Sequence, residues 1–360
     1  MPTVHGQLEP AGGLVRDVVR WYADAARDLP WRRPDTSPYA VLVSEVMLQQ
    51  TPAARVVQPF SAWLARWPAV ADLAGAPSGE AVRQWGRLGY PRRALRLHAA
   101  ALACVKRHGG AVPSTVAELE ALPGVGRYTA RAVAAFAFGV RVPVVDVNVR
   151  RVVARAVEGV AQGPVTVGIR DLALVAGLLP AGGDGVPAPL ASVALMELGA
   201  LVCTARTPDC SACPVAGRCA WRLAGAPPWQ GPGRRAQSYA GTDRFVRGRL
   251  LAVLRDSPLP VEASALDVVW AEPVQRARAL AGLVADGLAN ALPDGTFTLP
   301  GAVEPTTATT ATSPAATSSA AEHLEAASPS PHVTPTAAVT PTAAAEHLRA
   351  ASPSPCPRVG

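Results

Sequence analysis

The chain has 360 residues, is 49% apolar and carries a formal net charge of +7, so it is long enough for two or three domains with proper cores. Its last sixty residues hold four acids and two arginines, which leaves +9 on residues 1–300; that balance suits a polyanionic partner, although plain solubility would also account for it. Met1–Pro10 lacks the apolar core of a secretory signal, and the most apolar helix, near Ala191–Cys203, is short and contains Glu197, so secreted and membrane-spanning classes are excluded and a cytoplasmic location is expected.

Leu14–Arg27 has helical spacing and stops at Arg27-Asp28-Leu29-Pro30-Trp31-Arg32. Tyr39–Gln50 predicts a second helix, with Val41, Glu45 and Leu48 on one face. A glutamate in such a stripe either lies at its edge or is held partly out of water, and burial would raise its pKa as a general acid needs. Thr51-Pro52 reads as an N-cap followed by a first-turn proline, opening a helix through Trp63. Further helices are expected at Arg92–Arg107, Val116–Ala121, Arg127–Phe138, Asn148–Val157 and around Leu190–Leu201. Strand alternation is almost absent, so the first 220 residues read as all-α.

The densest stretch runs from Leu122 to Arg150. Gly124-Val125-Gly126 is a tight turn between two helices, and it leaves bare amides at a helix N-terminus, where a phosphate binds readily. Twenty residues after Gly126 stands Asp146, a lone carboxylate following an apolar run.

Four cysteines follow: Cys203, Cys210, Cys213 and Cys219, with 6, 2 and 5 residues between them. Disulfides do not suit a cytosolic chain. Four thiolates can hold zinc or an iron–sulfur cluster, and ligand softness does not separate the two. Cys104 and Cys356 have no partner at ligand spacing and read as a core thiol and a tail residue. A Gly/Pro-rich linker at 222–242 leads to residues 243–301, which read as three helices and a Pro293-Asp294-Gly295 turn between short strands, the outline of a winged helix. Packing of this segment on the core is favoured slightly over a role on DNA. From 302 to 360 the composition collapses to Ala, Thr, Pro and Ser; a unit at Ala321–Pro329 recurs almost unchanged at Ala345–Pro353, and a disordered tail is expected.

The Gly-x-Gly hairpin, the following Asp146 and the 6-2-5 cysteine spacing resemble the signature of the endonuclease III superfamily of helix-hairpin-helix DNA glycosylases. Leu29-Pro30-Trp31-Arg32 and Ser44-Glu45-Val46-Met47-Leu48-Gln49-Gln50-Thr51 are similar to the MutY-type adenine glycosylases within it. The resemblance covers roughly residues 14–225. It implies a two-lobed glycosylase core over 1–221, with a 4Fe–4S cluster on the four cysteines. It also implies a monomer acting on duplex DNA with adenine opposite 8-oxoguanine or guanine.

By the same resemblance Glu45 is the acid at adenine N7, and Asp146 stabilises the sugar as adenine leaves, or attacks it transiently. Tyr128 and Asn148 orient these groups, and Arg32 contacts the base. Gln50 and Tyr90 enter the base stack, and Gly124, Val125 and Gly126 grip the backbone. Pro91 stands where the family usually has a second aromatic, and Val147 where it commonly has Gly or Thr. Long members carry a NUDIX-like domain for which 243–301 is too short, so the short form is expected. Two other readings remain: an endonuclease III-like glycosylase/lyase for oxidised pyrimidines, and an iron–sulfur DNA-binding regulator. Against the first, the lyase lysine two places after the hairpin is Tyr128 here, and the chain's single lysine is Lys106. Against the second, a regulator has no use for Glu45 and Asp146.

Overall fold

The computed structural model describes residues 12–164, 166–181, 185–231 and 239–301. These all fall in one compact unit that runs to Pro305. The low-complexity tail at 302–360, with its repeat and Cys356, lies outside the described residues, as does part of the expected linker.

The fold is built from helices. In chain order they are α1 (Gly12–Ala25), α2 (Pro38–Leu48), α3 (Ala53–Arg66), α4 (Val70–Gly75), α5 (Ser78–Trp85), α6 (Arg92–His108), α7 (Val116–Glu120), α8 (Arg127–Phe138), α9 (Val147–Ala156), α10 (Ile169–Leu178), α11 (Ala188–Leu201), α12 (Ala220–Leu223), α13 (Asp243–Asp256), α14 (Ala263–Asp267) and α15 (Pro273–Ala285). The one described sheet is a hairpin, β1 (Asn290–Ala291) against β2 (Phe297–Thr298), antiparallel, with a bridge from Val261 to Phe297. No described helix is long and apolar enough to cross a membrane.

Two apolar cores divide the unit into lobes. One gathers side chains of α2–α8 around Trp63, Trp85 and Leu97; the other gathers α1 with α9–α12 around Val149, Leu195 and Leu198. The chain therefore begins in the second lobe, with α1 packed on α11, crosses to build the first, and returns through Val145. The crossing segments line the space between the lobes.

Helix α2 is the axis of the first lobe. Ser37 caps it, its hydroxyl accepting from the Ala40 amide at 3.2 Å, and Pro38 supplies the first-turn φ. Every residue from Tyr39 to Met47 is buried, so α2 is sheltered all round rather than along one stripe. The face of Val41, Glu45 and Leu48 borders the interlobe cleft. Thr51 is not the cap of α3, which begins at Ala53 with no side-chain cap. The Thr51 hydroxyl instead accepts from the Arg93 guanidinium at 3.1 Å, so a tertiary partner outcompetes the local one. Helices α4, α5, α10 and α12 have no counterpart in the sequence reading; α4 and α12 are under two turns and α5 barely more, too short for apolar periodicity to register.

Residues 243–301 contain the three helices, the turn and the hairpin that their sequence implies, with Gly295 at φ +83° closing the turn. They share the first lobe's core: Leu250, Leu254 and Leu283 belong to the same apolar cluster as Val82 and Trp85.

Candidate active site

A cleft of about 1470 Å³ runs between the lobes. Glu45 reaches it from α2, Tyr128 from the first turn of α8, and Asp146 and Asn148 from the start of α9. Burial pushes the Glu45 carboxyl up to about 7; the neighbouring Asp146 adds to the rise, while a hydrogen bond from Tyr128 and the charge of Arg32 oppose it. Tyr128 is itself held well above its usual range, by burial first and then by the two carboxyls.

Asp146 is solvated differently. It caps α9, its Oδ1 accepting from the Asn148 amide at 2.9 Å and the Val149 amide at 2.7 Å, and its Oδ2 from Asn148 Nδ2 at 2.7 Å. Burial still raises its pKa, but these three donors, with the Arg151 charge, pull it back. Asn148 is in turn fixed by Arg151, whose guanidinium donates to Asn148 Oδ1 at 2.7 Å and to the Gly199 carbonyl at 2.6 Å. Gly199 must lack a side chain here, because a Cβ would sit 2.7 Å from that of Asn148.

Arg32 lies on the wall of the same cleft. One of its terminal nitrogens donates to Glu197 at 2.9 Å. Glu197, wholly buried on α11, also takes two bonds from the Arg27 side chain at 2.7 and 2.8 Å, and these cations hold its carboxyl down at about 2 despite burial. The other terminal nitrogen of Arg32 is buried without a protein acceptor. A buried donor left unmatched is costly, and here it waits beside a cleft. Glu197 had no place in the sequence reading except as a break in an apolar run; that break was the signal.

The hairpin lies between α7 and α8. Gly124 has φ +77°, and a Cβ there would strike Arg96 at 2.5 Å, so only glycine fits. Gly126 is extended with open space around it and acts as the N-cap of α8. Gly124 and Gly126 border the cleft, whereas Val125 turns its side chain into the first lobe's core. Gln50 also lines the cleft, but Tyr90 stands apart, exposed on the α5–α6 loop. Both residues have positive φ, 56° and 46°, which is strained for a side chain. One buried arginine, missed from sequence, joins them: Arg93 donates to the carbonyls of Val46, Met47 and Gln49 on one side and of Gly89 on the other, at 2.6–3.1 Å. Its guanidinium also faces the rings of Trp85 and Tyr90. No local pattern marks Arg93, since its role exists only where two distant loops meet.

Residues 43–160 match the model of the HhH-GPD superfamily of base excision DNA repair proteins. An adenine DNA glycosylase of Mycobacterium tuberculosis is 55% identical over 286 residues, 79% of this chain and 93% of that protein. The chain belongs to the adenine DNA glycosylases. The glycosylase of Mycolicibacterium smegmatis is 54% identical over the same share of this chain and 95% of its own, and the human adenine DNA glycosylase is 42% identical over 56% and 38%. Among solved structures, a thermostable thymine-DNA glycosylase aligns at TM-score 0.55 and 27% identity, covering 60% of this chain and 97% of its own. An endonuclease III trapped on DNA shares the fold at TM-score 0.50 and 22% identity, over 59% and 95%. As an adenine DNA glycosylase the chain is a DNA repair enzyme, all-α and of the endonuclease III superfamily.

Residues 203–219 match the iron–sulfur binding domain of endonuclease III, and the cofactor of this family is a 4Fe–4S cluster. Cys203, Cys210, Cys213 and Cys219 together line one small pocket at the end of the second lobe. These four cysteines are the residues that would hold the 4Fe–4S cluster. The donors fit it chemically, being thiols only. Two arginines of α9 tie this loop to the helix that Asp146 caps. Arg151 Nε donates to the Cys203 carbonyl at 2.6 Å, and Arg155 reaches the Thr204 carbonyl at 2.7 Å and Cys203 Sγ at 3.4 Å while stacking on Trp221. Cys104, by contrast, is a buried core thiol whose pKa burial lifts to about 11.

Proposed function

We propose that this enzyme hydrolyses the N-glycosidic bond of adenine paired with 8-oxoguanine or guanine in duplex DNA, acting as a monomer in the cytoplasm. The observation that carries the reading is the pairing across one cleft of two buried carboxyls in opposite environments. Glu45 is biased to keep its proton near neutral pH, while at Asp146 three donors and the Arg151 charge oppose the rise that burial imposes and so favour the carboxylate. Adenine leaves readily only when protonated, and its departure leaves an oxocarbenium-like sugar, so acid and anion have separate tasks.

The adenine is swung out of the stack into the cleft. Glu45 transfers its proton to adenine N7 as the C1′–N9 bond breaks and its electron pair goes to the base. Asp146 faces C1′ and stabilises the cationic sugar, or bonds to it transiently, until water adds and gives up a proton. Tyr128 and Asn148 keep the two carboxyls oriented, and the unmatched donor of Arg32 supplies a contact for a ring nitrogen. The amides about Gly124, Val125 and Gly126 hold a phosphate at the start of α8, and Gln50 and Tyr90 fill the stack. Cys203, Cys210, Cys213 and Cys219 would hold the 4Fe–4S cluster, which would brace the second lobe structurally, and Arg151 and Arg155 join that loop to α9.

The reaction stops at base removal. Tyr128 cannot form an imine, and Lys106 is exposed on α6 and does not line the cleft. The test is single-turnover release from duplexes with A opposite 8-oxoguanine, A opposite G, and thymine glycol, with borohydride trapping alongside. Adenine release without trapped enzyme is expected; release of thymine glycol with trapping would overturn the reading.

A further inference from the structure

Residues 243–301 have no task in the chemistry described so far. Their charge argues against a DNA-reading surface: they carry six arginines and seven acids, a net of −1 in a chain whose first 300 residues carry +9. Half of those arginines are already paired with acids of the same segment, Arg278 with Asp243, Arg276 with Asp267 and Arg247 with Asp286. What the segment does touch is the α5–α6 region that presents Tyr90.

Three contacts define that junction. The Pro300 carbonyl accepts from the Gly79 amide at 2.7 Å, and the approach is so close that a Cβ on Gly79 would lie 2.5 Å from the same oxygen. Arg255, from the last turn of α13, donates to the carbonyls of Val82 at 3.0 Å and Gly86 at 2.5 Å, while its own carbonyl accepts from Arg83. Asp286, just after α15, pairs with Arg92 at 3.1 Å, two residues beyond Tyr90. The loop between these contacts contains Gly86, Gly89 and Tyr90, at φ +53°, +80° and +46°. Arg93 holds it from the protein interior through the Gly89 carbonyl and lies against one face of the Tyr90 ring, which is otherwise exposed. A non-glycine residue keeps such a backbone only where its surroundings hold it.

We propose that residues 243–301 are a brace for the Tyr90 loop: they grip its two ends through Arg255 on Gly86 and Asp286 on Arg92, and so fix the ring that probes the stack at the mispair. The inference rests on the reading of Tyr90 as a stacking residue. Asp286 and Arg255 are positioning residues, acting through Tyr90 and touching no substrate. In this enzyme the C-terminal segment thus serves mispair recognition without contacting the mispair.

The experiment is a double-mutant cycle in the full chain. Asp286→Ala and Arg255→Met are each made alone and in a Tyr90→Ala background. The affinity of each protein for a fluorescent duplex with A opposite 8-oxoguanine, and for its matched counterpart, is measured beside single-turnover adenine release. Each brace variant should lose at least fivefold in preference for the mispair, Asp286→Glu should recover most of it, and in the Tyr90→Ala background neither should lose more than about twofold further. A loss of equal size with and without Tyr90 would overturn the brace, as would no loss from either variant. Should Arg255→Met fail to fold, the surface pair of Asp286 decides the question. Wild-type protein that binds mispairs but releases no adenine would defeat the functional reading alone, and the affinity cycle would still judge the brace.

Discussion

Glu45 and Asp146 are both carboxyls taken out of water, yet their surroundings differ. Glu45 projects from the middle of a helix buried on every side, where the Tyr128 side chain hydrogen-bonds to it. Asp146 stands at a helix start, where free amides turn toward it and the helix dipole favours its charge. Burial penalises both anions, but Glu45 has only the Tyr128 hydroxyl and the Arg32 charge to set against it, whereas the helix start gives Asp146 three donors. Burial is the largest influence on both, and position within a helix sets how much of it is opposed.

The largest expected effect comes from removing either group. Glu45→Gln and Asp146→Asn should each slow adenine release by more than about a thousandfold, or roughly 4 kcal/mol of barrier, while duplex affinity stays within a few-fold. A single-turnover rate within about tenfold of wild type for either would remove that residue from the mechanism. Next comes an attack on the compensation alone. Asn148→Ala deletes one of the three donors to Asp146 and the acceptor of Arg151, and should cost about 1–3 kcal/mol of transition-state stabilisation. The acidic limb of the pH–rate profile should move upward, because Asp146 then ionises at higher pH, while the limb set by Glu45 stays in place. Movement of both limbs would show that the two carboxyls titrate as one unit.

The pH dependence of stability sharpens the contrast further. The Glu45 pKa is raised in the folded state from 4.5 to about 7, so between those values the native protein binds more protons than the unfolded chain. Stability on this account is complete below about pH 4.5 and is lost as pH rises through 7. Glu45→Gln should remove that loss and stabilise the protein at pH 8 by at most about 3 kcal/mol, while leaving it nearly unchanged near pH 4; melting temperatures at the two pH values decide. Cys213→Ser should lose the brown colour and iron content and weaken DNA binding, disturbing the Asp146 side through Arg151 and Arg155 while leaving the Glu45 lobe folded. Stoichiometric zinc in the wild type would contradict the cluster. The smallest effect is expected from removing residues 302–360, whose composition offers no core to lose; melting temperature and turnover should both hold.

Much of the site was legible because it depends on local chemistry. Gly124 must be glycine at φ +77°, Asp146 must precede a helix to cap it, and the four cysteines share one short loop. Each of these requirements spans no more than about twenty residues. Glu45 was half-legible: its place in an apolar run raised the question of burial, but the all-round burial of α2 depends on which helices surround it.

The residues that escaped are those whose partners lie far along the chain. Glu197 meets Arg27 and Arg32 across 170 and 165 positions, Arg93 joins loops more than forty residues apart, and Arg255 reaches Gly86 across 169. Thr51 shows the same effect in reverse, since its capping pattern is locally sound and was overruled by Arg93.

By itself, then, the sequence determined an all-α first 220 residues, the hairpin, a lone aspartate twenty residues after it and the four-thiol loop, because helix periodicity, glycine torsions and ligand spacing act over a few turns. Only the tertiary structure decided that two lobes would close on one cleft with Glu45 opposite Asp146. It also decided that a buried guanidinium would hold both strained loops, and that residues 243–301 would dock on the first lobe. Those outcomes follow from burial and long-range hydrogen bonding, whose partners are chosen in space and leave no period in the chain.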